Sequence, residues 1–231
     1  MRDADLQEIR ALPLFRDMGE APFADLMRGA YHQNFPAQVT LIEEGRPADF
    51  LHIVTDGAVE LFARWSNRET TLAVARPVST FILAACINDA PYLMSARTMT
   101  SSRIAMVPGA DLRAAFLKDA AFAQAIVGEL AGCYRSVVRH AKNIKLRSSK
   151  ERLAAFLIGE AEKAGQGSSF ELPFEKRILA SYLGMTPENL SRALKQLKDE
   201  GVMVDGATVR FHDVDRIRAI AMPGRLMDEC V

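Results

Sequence analysis

The chain is predicted to be an α+β protein in three stretches: a β-rich part over residues 1–110, a long helix over 111–147 and a small helical part closed by a hairpin over 148–231. Three observations carry this. Short apolar runs alternate with Gly and Asp turn signals through the first stretch. A proline-free segment with helical periodicity begins after Pro108-Gly109. Finally, Ala180, Gly184 and Leu190 stand at a spacing that suits two helices meeting across a tight turn.

In the first stretch, a short helical segment leads into strand-like runs at 39–42, 50–54, 59–63 and 70–74. The segments Glu44-Gly45-Arg46-Pro47 and Thr55-Asp56-Gly57 separate the first three. Strands this short and this regularly spaced favour an antiparallel sandwich or barrel.

Along the helix, Ile126, Leu130, Cys133, Val137, Ala141 and Ile144 recur at steps of three and four, forming one narrow stripe. Residues 112–117 already offer a face to the sheet, and Arg135, Arg139, Lys142 and Lys145 flank the later stripe. A narrow stripe with charged flanks predicts a seam between two copies of the helix. Ser148-Ser149 then supplies an N-cap and a boundary, a helix runs from 149 to about 164, and residues 165–169 form a loop.

At 174–198, Ala180 permits close helix approach, Gly184 takes the turn and Leu190 closes the angle, with Leu179, Leu183, Met185 and Ala193 as interior. Thr186-Pro187-Glu188 is a strong helix start: Thr as N-cap, Pro at the first position and Glu at the positive end of the dipole. The second helix then presents Glu188, Ser191, Arg192 and Lys195 on one face. Arg suits guanine O6/N7, Glu the cytosine amino group, and Ser a base edge or a phosphate. Residues 202–211, turning at Asp205-Gly206, read as a hairpin, which makes the unit a winged helix-turn-helix.

Composition bounds the function. The 231 residues are 49% hydrophobic, with 29 Lys+Arg balanced by 29 Asp+Glu, so bulk charge cannot hold nucleic acid or a membrane. Residues 148–231 carry twelve basic against thirteen acidic side chains, but 134–152 carry seven against one and 187–198 three against one. Phosphate attraction is therefore expected from these two patches. The longest uncharged run, 77–88, is too short to span a bilayer, and the start of the chain has no apolar leader, so a cytoplasmic protein is expected. Cys86, Cys133 and Cys230 form no disulfide framework or metal motif, and Cys86 and Cys133 read as small hydrophobes. There is no catalytic constellation.

The segments LIEEGRPADFLHIVTDGAVELFA (41–63) and LPFEKRILASYLGMTPENLSRALKQLKDEG (172–201), with the long helix between them, resemble the CRP/FNR family of bacterial transcription regulators. The resemblance implies a cyclic-nucleotide-binding-like β-roll (jelly roll) and a homodimer on a two-fold symmetric double-stranded DNA operator. It also implies RNA polymerase as a partner, an effector beside the dimer helix and a hinge near Arg147-Ser148. Glu188-Asn189-Leu190-Ser191-Arg192 matches the E-x-x-S-R of the FNR-like branch, whereas cyclic-AMP receptors have Gly in place of Ser191. That match implies TTGA-type half-sites read by Glu188, Ser191 and Arg192, with Thr186 and Lys195 beside them.

The family's nucleotide cassette does not carry over. Its F-G-E-L stretch is matched by Phe81-Ile82-Leu83-Ala84-Ala85, and its phosphate-binding Arg by Met94 before Ser95-Ala96. The adenine positions on the helix fall at Val137 and Val138. A cyclic phosphate placed there would be buried without a charge partner, so cyclic AMP is not expected to bind. The N-terminal cysteine cluster of iron–sulfur members is missing too. This combination is similar to the DNR and NnrR regulators of nitrogen-oxide respiration, for which haem sensing of nitric oxide is proposed. Haem would draw on His32, His52 or His140; His52 reads as a surface or edge residue, His32 as lying near a loop. Two alternatives stay open: a cyclic-nucleotide regulator with a divergent pocket, and a small-molecule module whose winged helix contacts protein.

Overall fold

The structure is a computed structural model and describes residues 3–165 and 169–228. Cys230 and residues 166–168 of the expected loop lie outside these. Two compact units divide the chain at Cys133/Tyr134, inside a helix.

In the first unit, α1 (Asp3–Arg10) and α2 (Glu20–Arg28) precede β1 (Tyr31–Phe35), β2 (Thr40–Ile42), β3 (Phe50–Asp56), β4 (Val59–Trp65), β5 (Arg68–Ala75) and β6 (Ser79–Phe81). Then come α3 (Leu83–Asn88), β7 (Ser95–Thr98), β8 (Ser102–Pro108) and α4 (Gly109–Lys118). The strands form two antiparallel four-stranded sheets, in the orders β1-β8-β3-β6 and β2-β7-β4-β5. Both faces of β3 and of the first half of β4 are largely buried. Gly57 permits the sharp turn between them. It stands at φ +86°, and a Cβ there would overlap Ser102 Oγ and the Ser101 carbonyl. Leu51, Ile53, Ile104, Val107 and Leu112 are fully buried in the core of this unit.

Glu60, on β4, is buried although it carries a carboxylate. Arg97 lies 2.6 Å away, and the Thr71 hydroxyl donates to the Glu60 carboxylate. Arg97 also pairs with Glu69 at 2.6 Å and covers the Phe62 ring at 4.4 Å. Every charge in this cluster therefore has a partner, which is the condition for burying it.

The single helix expected over 111–147 is two. Asp119 is extended and separates α4 from α5 (Ala120–Leu146). Its carboxylate accepts from the Phe122 and Gly19 amides at 2.9 and 3.0 Å. Those bonds hold the carboxyl below its usual range and satisfy a free donor at the start of α5. The apolar stripe does not show this break, because all of its residues lie on α5.

In the second unit the end of α5 is followed by α6 (Ser149–Lys163), β9 (Ser169–Glu171), α7 (Lys176–Tyr182) and α8 (Pro187–Asp199). Strands β10 (Val202–Asp205) and β11 (Thr208–Phe211) and helix α9 (Val214–Ala221) complete it. A full capping box begins α6: Ser148 Oγ accepts from the Glu151 amide, and the Glu151 carboxylate accepts from the Ser148 amide. The hairpin β10–β11 forms as expected, and β9 adds a third strand in the order β10-β11-β9.

Candidate functional site

Helices α7 and α8 form the helix-turn-helix. Ala180, Leu190 and Ala193 are buried, together with Leu153 and Leu157 of α6 and Val209 of the hairpin. Gly184 takes φ +62°, and the Met185 amide donates back to the Ala180 carbonyl at 3.0 Å, closing the turn. A side chain on Gly184 would come within 3.0 Å of Ile144 Cδ1 from the last turns of α5.

The Thr186 hydroxyl accepts from the Asn189 amide at 3.3 Å, so α8 starts where the sequence places it. With Leu190, Ala193 and Leu197 pinned inside, Glu188, Ser191, Arg192 and Lys195 are exposed on the opposite side. Thr186 is also exposed. Ser191 Oγ donates to the Pro187 carbonyl at 2.9 Å, which leaves its lone pairs outward as acceptors. A hydrogen bond from its own amide, one involving Thr186 and the nearby Arg192 charge hold the Glu188 carboxyl below its usual range. It therefore stays an acceptor at neutral pH.

Sequence reasoning missed Asn189 and Gln196, which are exposed on the flank of the same helix. It also missed Lys176 and Arg177 in the first turn of α7 and Arg210 on the hairpin, all exposed. Helical spacing was a signal for the first two; the others depend on tertiary placement.

The basic patch at 134–152 is smaller than its sequence charge. Arg147 is buried against Asp228, and Lys150 pairs with Glu200 at 2.7 Å. Arg152 is buried, donating to the carbonyls of Ile144 at 3.1 Å and Arg147 at 2.7 Å, with the Gly184 carbonyl at 3.5 Å. Three of the seven cations thus hold this unit together. Of the stripe, Ile126 is buried in the first unit and Leu130 half-buried, whereas Cys133, Val137, Ala141 and Ile144 are exposed.

The residues matched to the nucleotide cassette are largely spent on packing. Phe81 and Leu83 are buried core residues, Met94 packs half-buried against that core, and Ala84 is exposed. Ser95 Oγ accepts from the Glu44 amide at 3.0 Å. Arg97, the nearest cation along the strand, is held by two carboxylates. Val137 and Val138 are exposed on α5. These positions offer a cyclic phosphate no free charge partner.

The three histidines considered for haem lie in different surroundings. His32 lies within β1, with Asp5 3.3 Å from Nδ1 and the Thr55 hydroxyl 3.1 Å from Nε2. His140 is half-buried beside Tyr182. His52 is not at the surface: its ring is 3% exposed, stacked on Phe81 at 5.0 Å, and Nδ1 has no hydrogen-bond partner. Burial, only partly offset by the Phe50 carbonyl, lowers its pKa to about 4, so it is neutral at pH 7. Cys86 is fully buried, which pushes its thiol up to about 12, and Cys133 is exposed. Among the described residues no group of three or more His, Cys, Asp or Glu could hold a metal ion, and no helix is long and apolar enough to cross a membrane.

Comparison with known proteins supports both halves. Residues 151–220 match the Crp-like helix-turn-helix domain and residues 32–119 the cyclic nucleotide-binding domain. Nitrogen fixation regulation protein FixK of Rhizobium meliloti is 31% identical over 84 residues, covering 36% of this chain but only 40% of that protein. The CRP-like cAMP-activated global transcriptional regulator of Mycobacterium tuberculosis is 22% identical over 210 residues, covering 88% and 94% of the two chains. The solved structure of FixK2 from Bradyrhizobium japonicum shares the fold with a TM-score of 0.72 at 23% identity, over 83% of this chain and 96% of that one.

Proposed function

From the premise that this chain belongs to the CRP/FNR family of DNA-binding transcription regulators, and is not an enzyme, we propose that it binds TTGA-like half-sites as a homodimer. The observation that carries the reading is the outward face of α8, where Glu188, Ser191, Arg192 and Lys195 stand exposed on a helix anchored from behind. An Arg and a Glu one turn apart can each address one base of a major-groove site. Neutral overall charge makes non-specific attraction modest, so affinity rests on this face. The exposed stripe of Cys133, Val137, Ala141 and Ile144 supports the two-fold seam, which would set two reading heads on one palindrome.

The effector, in this reading, is not a cyclic nucleotide, because the cassette positions are apolar and Arg97 is already neutralised. The test is a fluorescence-anisotropy titration with a TTGA-N6-TCAA duplex and a scrambled duplex, with and without cyclic AMP. We expect tight, salt-sensitive binding to the first duplex only, unchanged by the nucleotide. Equal affinity for both duplexes would favour a winged helix that contacts protein.

A further inference from the structure

Arg152, near the start of α6, is a buried cation without a counter-charge. It is 8% exposed, and among the described residues no carboxylate pairs with it. Its Nε has no hydrogen-bond partner, and burial holds the guanidinium below its usual pKa. An apolar side chain of similar volume would fill the same space without burying a charge, so the arginine calls for a reason.

Every bond that Arg152 makes lies at one junction. Nη1 donates to the Ile144 and Arg147 carbonyls at 3.1 and 2.7 Å, where the end of α5 leaves acceptors without a helical partner. Nη2 reaches the Ser149 hydroxyl and the Gly184 carbonyl, each at 3.5 Å. Gly184 is the turn that sets α8 against α7. One planar group thus bridges the end of α5, the start of α6 and the turn of the helix-turn-helix.

Two side chains of α5 close the junction from the other side. Ile144 Cδ1 stands 3.0 Å from where a Gly184 side chain would begin, while the Ile144 carbonyl is held by Arg152. One turn earlier, His140 packs beside Tyr182, the last residue of α7. Burial, then the Arg152 charge, hold His140 below its usual range and keep it neutral at pH 7. The same turns of α5 carry Val137, Ala141 and Ile144 of the exposed stripe. The reading helix is therefore fixed with respect to the stripe, and in a dimer that angle sets the distance between two reading helices.

We propose that Arg152 is a positioning residue that sets which half-site spacing this protein accepts, by locking the turn before α8 to the end of α5. Base preference stays with the outward face of α8. This role rests on the homodimer reading above but not on the TTGA sequence, because the preferred half-site is found by selection.

The test begins with selection of the preferred half-site from a randomised pool, using the full chain. Anisotropy titrations then compare a single half-site with pairs set about one helical turn apart, centre to centre, and with pairs one or two base pairs closer or farther. The wild type should prefer one spacing by about tenfold or more. Arg152→Met, which keeps the volume and removes the charge, should select the same bases but bind all spacings within about threefold of one another. A role in stability alone would lower the urea midpoint and leave the spacing preference untouched. Unchanged spacing preference in Arg152→Met, or a changed base preference, overturns the proposal. Should that variant not fold by circular dichroism, Arg152→Lys carries the same test with the same outcomes, because a point charge lacks the planar fork that bridges these groups at once. Equal wild-type affinity for single and paired half-sites overturns the homodimer reading and the proposal with it. One preferred wild-type spacing leaves that reading standing, whatever the variants do.

Discussion

Arg147 and Asp228 are joined by two parallel hydrogen bonds, Nη1 to Oδ1 at 2.6 Å and Nη2 to Oδ2 at 2.7 Å, with the Arg147 side chain only 4% exposed. Nη2 also donates to the Met222 carbonyl at 3.1 Å. The segment after α9 thus returns to fasten the last turn of α5, and Arg152 ties the same turn to the start of α6 and to the helix-turn-helix. The expected hinge near Arg147-Ser148 is, within the second unit, a cross-linked junction.

Replacing Asp228 by Ala leaves a buried guanidinium without its counter-charge. Complete removal of one buried partner costs about 3–5 kcal/mol; because Asp228 is 29% exposed, we expect about 2 kcal/mol. Hydrogen exchange of amides 143–152 should accelerate, and unchanged protection would refute the fastening. Burial acts to raise the Asp228 carboxyl, but hydrogen bonds from Arg147 and the Gly224 amide bring it below 3.8. Its stabilisation is therefore present above about pH 4 and is lost as pH falls through the lowered value.

Gly184→Ala should destabilise the second unit by about 1–2 kcal/mol, since it combines a left-handed backbone with a contact at 3.0 Å to Ile144. Adding Ile144→Ala should recover only the contact part. Urea denaturation followed by far-UV circular dichroism measures both, and full recovery would mean that the backbone term is absent.

Arg192→Ala should weaken binding to a TTGA-type site by about 1–3 kcal/mol and relax one base position. Lys195→Ala should instead flatten the salt dependence across all sequences. Selection from a randomised half-site separates the two effects; unchanged specificity in Arg192→Ala removes it as a base reader.

Val137→Glu places a charge on the exposed stripe, where two copies of α5 would face each other. Light scattering should show a monomer, and affinity for a full palindrome should fall to that for a half-site. A dimer that survives this substitution would put the seam elsewhere.

His52 should make the first unit acid-sensitive. Its folded pKa is about 4 against 6.5 when unfolded, so the unfolded chain takes up the proton first as pH falls. Stability is intact above pH 6.5 and declines by roughly 3 kcal/mol as pH falls to about 4. His52→Phe should flatten this window in denaturation curves at pH 7, 5.5 and 4.5.

Elements whose signals are local follow from the order of residues alone. Thr186-Pro187 starts α8 and Asp205-Gly206 turns the hairpin, both through backbone preferences of a few adjacent residues. The outward face of α8 was legible for the same reason, since helical spacing alone assigns Glu188, Ser191, Arg192 and Lys195 to one side. What the isolated charges and histidines do depends on contacts made in the folded chain. Asp119 caps α5 locally through the Phe122 amide, and the Gly19 amide adds a second bond from 100 residues away that no local pattern announces. Arg147, Lys150 and Arg152 leave the basic patch because Asp228, Glu200 and distant carbonyls claim them. His52, on a strand that could face either way, is inside because the register sets it against Phe81. Local preferences depend on neighbours along the chain; burial and ionisation depend on neighbours in space, which no local pattern in the sequence specifies.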